Sequence, residues 1–314
     1  MKYVVIVVTS LIIMGLIAAM FVYQNSSPTV NSLQSQTIEK PIQQTSQNQT
    51  KKSKAAPIQP IYQNAKTGYA FQKNKLLVTF DKGEKWITVP VVKDELFSGD
   101  YHGSQQELIK NSYDLTKRRT AFLYSLNGSG AQLTYTLDQG KTWHHSVVTQ
   151  DLSGLRFRKI AFLNKNFGYA ILSGDRTMSQ EFSDAYLTHD GGKSWHKTNR
   201  PAISKLISAG GFIDEGTGFM SFGIINPRQP ELYVTQDGGK SWSKATMNMP
   251  SKYRKVFVEA EMPTKEGNHL AVLVNQGPNG DYKGGTVKGK FISKDNGLTW
   301  NFSKEVSPNE TEKE

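Results

Sequence analysis

The 314-residue chain has no cysteine. That absence excludes disulfides, thiolate metal sites, a cysteine nucleophile and a lipidated cysteine anchor together. The usual metal and nucleophile signatures are missing as well. Six histidines (His102, His144, His145, His189, His196 and His269) form no H-E-x-x-H or H-x-x-E-H helix, and no G-x-S-x-G elbow occurs. His144 and His145 are adjacent on an extended segment, so they point to opposite sides and cannot chelate one ion. The Gly-rich stretch 277–285, "GPNGDYKGG", lacks the GK[ST] ending of a phosphate loop. No cofactor and no metal are expected. Helical periodicity is scarce too; residues 104–115, "SQQELIKNSYDL", are the one modest helical candidate.

Acidic residues are in deficit, with 27 Asp and Glu against 38 Lys and Arg and a formal net charge of +11. A basic balance favours anionic surroundings such as nucleic acid, phospholipid or an anionic envelope polymer. Only one long apolar run exists, residues 3–23, and it carries no charge. At about 1.5 Å per residue it is long enough to cross a hydrocarbon core. Lys2 precedes it and no charge follows until Glu39, so the reading is a signal anchor over residues 1–23 with the rest outside. The competing reading is a cleaved signal peptide and a secreted product. Either removes nucleic acid from the expected partners. Residues 24–56 are polar, rich in Gln, Ser, Thr and Asn, and read as a disordered tether that includes Lys51, Lys52 and Lys54. Residues 306–314 read as an acidic disordered tail.

Between tether and tail one phrase occurs five times: "TFDKGEKW" (79–86), "TLDQGKTW" (136–143), "THDGGKSW" (188–195), "TQDGGKSW" (235–242) and "SKDNGLTW" (293–300). The frame is Ser/Thr-x-Asp-x-Gly-x-x-Trp. Its fixed residues are Asp81, Gly83 and Trp86; Asp138, Gly140 and Trp143; Asp190, Gly192 and Trp195; Asp237, Gly239 and Trp242; and Asp295, Gly297 and Trp300. The copies recur roughly every fifty residues, a period that propeller blades have. Each follows a β-branched and aromatic run, such as "KLLVTFD" (75–81) or "ELYVTQD" (231–237), and precedes a second extended stretch. Each phrase is therefore the loop of a β-hairpin. The Asp accepts backbone N–H groups, the Gly supplies positive φ, and the Trp pins the loop by apolar burial. Upstream lie "KTGYAF" (66–71), "NFGYAI" (166–171) and "GTGFMS" (216–221), with divergent counterparts at 118–123 and 267–272, each preceded by one more apolar stretch. Four strands per repeat over residues 57–305 predict an all-β chain, a β-propeller of five four-stranded blades.

The phrase resembles the Asp-box, or BNR repeat. With the G-Y/F-A element it is similar to exported propellers related to photosystem II assembly factors, although those often carry Trp where this chain has Tyr or Phe. Asp-boxes also occur in sialidases, other glycosidases and sortilin-type receptors, so the resemblance implies a fold and leaves activity open. The five phrases are read as structural, with no catalytic residue among them.

In four-stranded blades the loop between strands three and four lies opposite the loops between strands two and three and the blade connections. Binding residues are expected on that second end, in segments 94–106, 173–184, 226–231 and 275–289 and on connections: Asp100, Tyr101, Arg176, Arg200, Arg228, Arg254 and Tyr282. Resemblance to sialidases would imply three Arg clamping a carboxylate beside a Tyr–Glu pair, with Arg200, Arg228 and Arg254 as the available arginines. The R-I-P element of that family is absent, and its six blades exceed the five counted. The expected function is a membrane-anchored, non-catalytic binding or assembly module for a protein or an anionic envelope polymer; the alternative is a glycan-active hydrolase of sialidase-like type.

Overall fold

A computed structural model describes residues 58–308. The expected anchor, the tether and the last six residues lie outside them. The described residues are all-β apart from one four-residue helix, Lys93–Leu96, and two short 3-10 turns. Strands gather into five sheets in chain order. The first runs Ile61–Tyr62, Gly68–Gln72, Lys75–Thr79 and Ile87–Thr88; the second Tyr113–Leu115, Thr120–Leu126, Ser129–Thr136 and His144–Ser153. Phe157–Phe162, Gly168–Thr177, Gln180–Thr188 and His196–Lys197 form the third, and Ile207–Phe212, Gly218–Phe222, Glu231–Thr235 and Ser243–Lys244 the fourth. The fifth holds Glu259–Ala260, His269–Asn275, Lys288–Ser293 and Thr299–Val306, with Thr264–Glu266 beside its second strand. Thr246–Asn248 adds a parallel strand along the outer edge of that sheet, Met247 opposite Trp300. Each sheet is otherwise an up-and-down antiparallel meander, the unit of a β-propeller.

Alternation along the strands explains how the sheets stack. Phe122 and Tyr124 join Tyr69, Leu76 and Val78 between the first and second sheets. Their neighbours Ala121 and Leu123 face the other way, onto Ala170 and Leu172 of the third. Ile171 and Leu187 then meet Ile207, Met220 and Phe222, while Phe219 and Val234 meet Val272, Phe291 and Trp300. Four apolar clusters thus lie between consecutive sheets. A strand buried on both faces has no alternating solvent-facing positions, which is why "TAFLYSL" and "GFMSF" are apolar except for the small buried Thr120, Ser125 and Ser221. The fifth sheet's other face carries ion pairs instead, Lys288–Glu261 at 2.7 Å and Lys290–Glu266 at 2.8 Å.

Five copies of the repeated phrase fold alike. Each preceding strand ends at the Ser or Thr of the phrase. That hydroxyl donates to the Asp Oδ1 at 2.7–2.8 Å and accepts the Gly N–H at 2.8–2.9 Å. The same Oδ1 accepts the N–H four residues on at 2.9–3.0 Å. Gly φ lies between 81° and 94° throughout. A second duty of this glycine becomes visible only in three dimensions. From the second copy on it abuts the preceding sheet: a Cβ on Gly239 would sit 2.5 Å from Thr198, and one on Gly297 2.4 Å from the Phe219 ring. The Trp reaches the same way, Trp195 donating to Ser146 Oγ at 3.2 Å and Trp300 packing 6.1 Å from Phe219. From the second copy on, the phrase therefore joins its own sheet to the one before it, a role beyond the expected pinning of a loop.

Two local expectations are corrected. Residues 104–115 form turns and then the strand Tyr113–Leu115, because Asn111 takes a left-handed φ of 68° and its carbonyl accepts Ile160 N–H. Segment 173–184, expected as a loop, is mostly strand: Gly168–Thr177 and Gln180–Thr188 pair almost to the tip at Met178. In both places pairing to a neighbouring strand overrides local preference.

Candidate functional site: a basic cleft between the fourth and fifth sheets

The meander order puts the loops between second and third strands, and the connections between sheets, at the end away from the repeated phrases. Two such segments converge beside the fourth and fifth sheets. Loop 223–230 leaves Phe222 through Gly223, at φ 101°, and turns at Asn226, at φ 45°. The connection 245–258 is fastened at both ends, by the strand Thr246–Asn248 and by Tyr253 and Phe257 buried in the core. Fixing those aromatics leaves the intervening Arg254 and Lys255 exposed. A cavity of about 480 Å³ opens between the segments, with Arg228, Lys244, Arg254 and Lys255 over a floor containing Met249 and Phe257.

Charge there is unbalanced. Lys244 binds Glu231 at 2.6 Å, and Glu231 also holds Lys205 at 3.1 Å. Burial would raise the Glu231 carboxyl, but its bonds from the two lysines outweigh burial and hold it below the ordinary range. Arg228, Arg254 and Lys255 have no carboxylate partner among the described residues. Three cations without a described acidic partner, set around an apolar floor, are chemically suited to an anion with apolar or neutral portions.

A second cavity of about 300 Å³ shares Arg228 and Lys255 with the first. Its walls include Asn226, Asn279, Asp281 and Tyr282, and Asn279 Nδ2 donates to Asn226 Oδ1 at 3.0 Å. Buried Gln276 closes the base of loop 276–287, its Nε2 donating to the Tyr282 and Val287 carbonyls, each at 2.9 Å. Tyr282 Oη and Tyr253 Oη donate to Glu305 Oε1 at 3.0 and 2.5 Å, and Lys283 Nζ binds Oε2 at 2.5 Å. Lys283 first, then the tyrosines, hold Glu305 down to about 2. A carboxylate so stabilised in its charged form is a weak proton acceptor at neutral pH, and here it serves as a staple for the loop.

The seven sequence-expected binding residues fall into three places. Arg228, Arg254 and Tyr282 surround the paired cavities. Asp100 and Arg176 meet at 3.2 Å in a depression beside the third sheet, with His102 Nε2 2.9 Å from Asp100; Tyr101 packs on Phe97 and donates to the Ser104 carbonyl. Arg200 lies elsewhere, bidentate to Asp184 at 2.8 Å for both bonds and 4.4 Å from the Phe182 ring. Two of the three arginines considered for a carboxylate clamp are thus near each other, and the third is already neutralised.

Sequence reasoning missed Lys244 and Lys255. The available signal was "YRKVF" (253–257), a basic pair flanked by aromatics that anchor it. It also missed buried arginines that tie sheets together. Arg158, 2% exposed, donates to the carbonyls of Leu96, Ser98 and Leu155, and burial pushes its guanidinium down to about 10. Arg119 reaches the carbonyls of Gly191 and Lys165 at 2.6 and 2.8 Å and stacks 3.7 Å from the Phe162 ring. Partly buried Arg156 pairs with fully buried Glu181, and the two also bond both backbone groups of Ile207.

The family model of the BNR/Asp-box repeat matches residues 186–197 and 233–244, the third and fourth copies of the phrase. The chain carries BNR/Asp-box repeats. No curated protein matches it in sequence. Among solved structures it is similar to a GH43 beta-xylosidase/alpha-arabinofuranosidase from a compost microbial metagenome, with 10% identity, a TM-score of 0.37, and coverage of 62% of this chain and 76% of that one. A Trypanosoma rangeli sialidase in complex with sialic acid aligns at 12% identity and TM-score 0.38, over 67% of this chain and 41% of the sialidase. A GH74 xyloglucanase from Xanthomonas campestris aligns at 14% and 0.38, over 75% and 36%.

Proposed function

We propose that the chain is a five-bladed propeller, held at the outer face of a membrane by residues 1–23 and a tether over 24–56, that binds an anionic envelope polymer without chemical turnover. One observation supports the reading: Arg228, Arg254 and Lys255 converge on a single cleft with no carboxylate among the described residues to neutralise them. Unpaired cations held on a rigid frame lose little entropy when an anion arrives, so their attraction is available to a partner. Tethering would keep the cleft near the membrane surface and raise its effective concentration there. Catalysis finds less support, since Glu305 is held charged by Lys283 and Arg200 by Asp184.

The test is binding of the full-length protein in detergent to labelled polyphosphate at low and high salt. Wild type is expected to bind at low salt and release as salt rises, and the R228A/R254A double variant to lose most of that binding. Equal binding by both proteins, or release of sugar from envelope glycans by wild type, would overturn the proposal.

A further inference from the structure

Resting on that reading, the paired cavities narrow the class of anion. We infer that the ligand is a polyol phosphate, a chain of phosphodiesters whose linking units carry free hydroxyls. The two lobes differ in chemistry. In the larger, Arg228, Arg254, Lys244 and Lys255 present more positive charge than one carboxylate would neutralise, even after Glu231 is counted. A phosphodiester chain supplies a negative charge at every repeat, and guanidinium forks suit phosphate oxygens.

The smaller lobe is built differently. Asp281 lines it, and its carboxylate has no bonding partner among the described residues. An ionised carboxylate only accepts hydrogen bonds, so it repels a phosphate placed against it and favours a hydroxyl. Asn226 and Asn279 spend one acceptor and one donor on each other. The pair retains the Asn226 amide protons and the Asn279 carbonyl, which can donate to and accept from a single hydroxyl. Neutral, hydroxyl-bearing structure therefore belongs in this lobe. Because Arg228 and Lys255 border both cavities, the charged and neutral portions belong to one molecule with the two alternating closely.

The experiment compares poly(glycerol phosphate) with poly(1,3-propanediol phosphate), which has the same backbone and charge spacing but no free hydroxyl. Calorimetric titration uses the full-length protein in detergent. The glycerol polymer is expected to bind roughly three- to tenfold more tightly, the worth of a neutral hydrogen bond or two. The exposed-loop variants N279A and D281A should each bring the ratio toward one while retaining binding. Equal affinity of wild type for the two polymers would overturn the inference and leave the anion-binding reading standing. No binding of either polymer would remove both. Tighter binding of single-stranded RNA, which also joins phosphodiesters to hydroxyls, would assign the site to another class of partner and overturn the inference.

Discussion

Replacing Gly297 by alanine tests whether the repeated phrase joins neighbouring sheets. Gly297 sits at φ 93°, where any L side chain is strained, and its Cβ would meet the Phe219 ring at 2.4 and 2.6 Å. Phe219 is fully buried and belongs to the fourth sheet, so it cannot swing into solvent. Gly267 supplies the control, since its φ is 59° and nothing lies within 4 Å of its added Cβ. The left-handed backbone alone costs an alanine about 1–2 kcal/mol, the expectation for G267A. Overpacking a filled interior adds about 1–3 kcal/mol, so G297A should lose roughly 2–5 kcal/mol. For a domain near 250 residues, about 2–4 °C of Tm goes with each kcal/mol. The Tm of G297A should therefore fall by roughly 4–20 °C and that of G267A by roughly 2–8 °C, with G297A the lower under the same conditions. Scanning calorimetry of the full-length proteins in one detergent gives the comparison. Indistinguishable melting of the two variants would refute the inter-sheet role and leave the glycine with only a turn to form.

Two further outcomes concern stability. Asp138 and Asp237 are held down to about 2, chiefly by the hydroxyls of Thr142 and Ser241 and by backbone N–H groups. Their folded pKa lies below an unfolded value of about 3.9, so their contribution is complete above pH 4 and disappears as pH falls toward 2. Urea midpoints should hold from pH 7 to about 5 and drop below 4; in D138N/D237N the drop should be shallower, and an unchanged acid profile would contradict the assignment. Arg119→Met removes a ring contact and leaves the Gly191 and Lys165 carbonyls without their donor, which should cost roughly 2–4 kcal/mol in urea unfolding. Wild-type stability in that variant would mean that water satisfies those carbonyls equally well.

The local pattern carried a large part of this architecture. A Thr or Ser, an Asp two residues on and a Gly four residues on suffice to close a hairpin loop, because every bond involved spans at most four residues. Strands ending at Thr79, Thr136, Thr188, Thr235 and Ser293 were legible for the same reason. What failed was local preference under outside pressure: Asn111 breaks a plausible helix to bond Ile160, and the third sheet's hairpin extends through residues that look like a loop.

The cleft belongs to the other category. Arg228 and Arg254 could be named as loop residues on the right end, yet nothing in their spacing says that they meet each other, that Lys255 joins them, or that Arg200 is neutralised by Asp184. Sequence by itself determined the repeat, its strand count and its turns, because short-range hydrogen bonds and period-two burial leave a mark at fixed offsets. Tertiary structure alone decided which charges are free. Pairing depends on distances between segments separated by tens of residues, and only the stacking of sheets sets those distances.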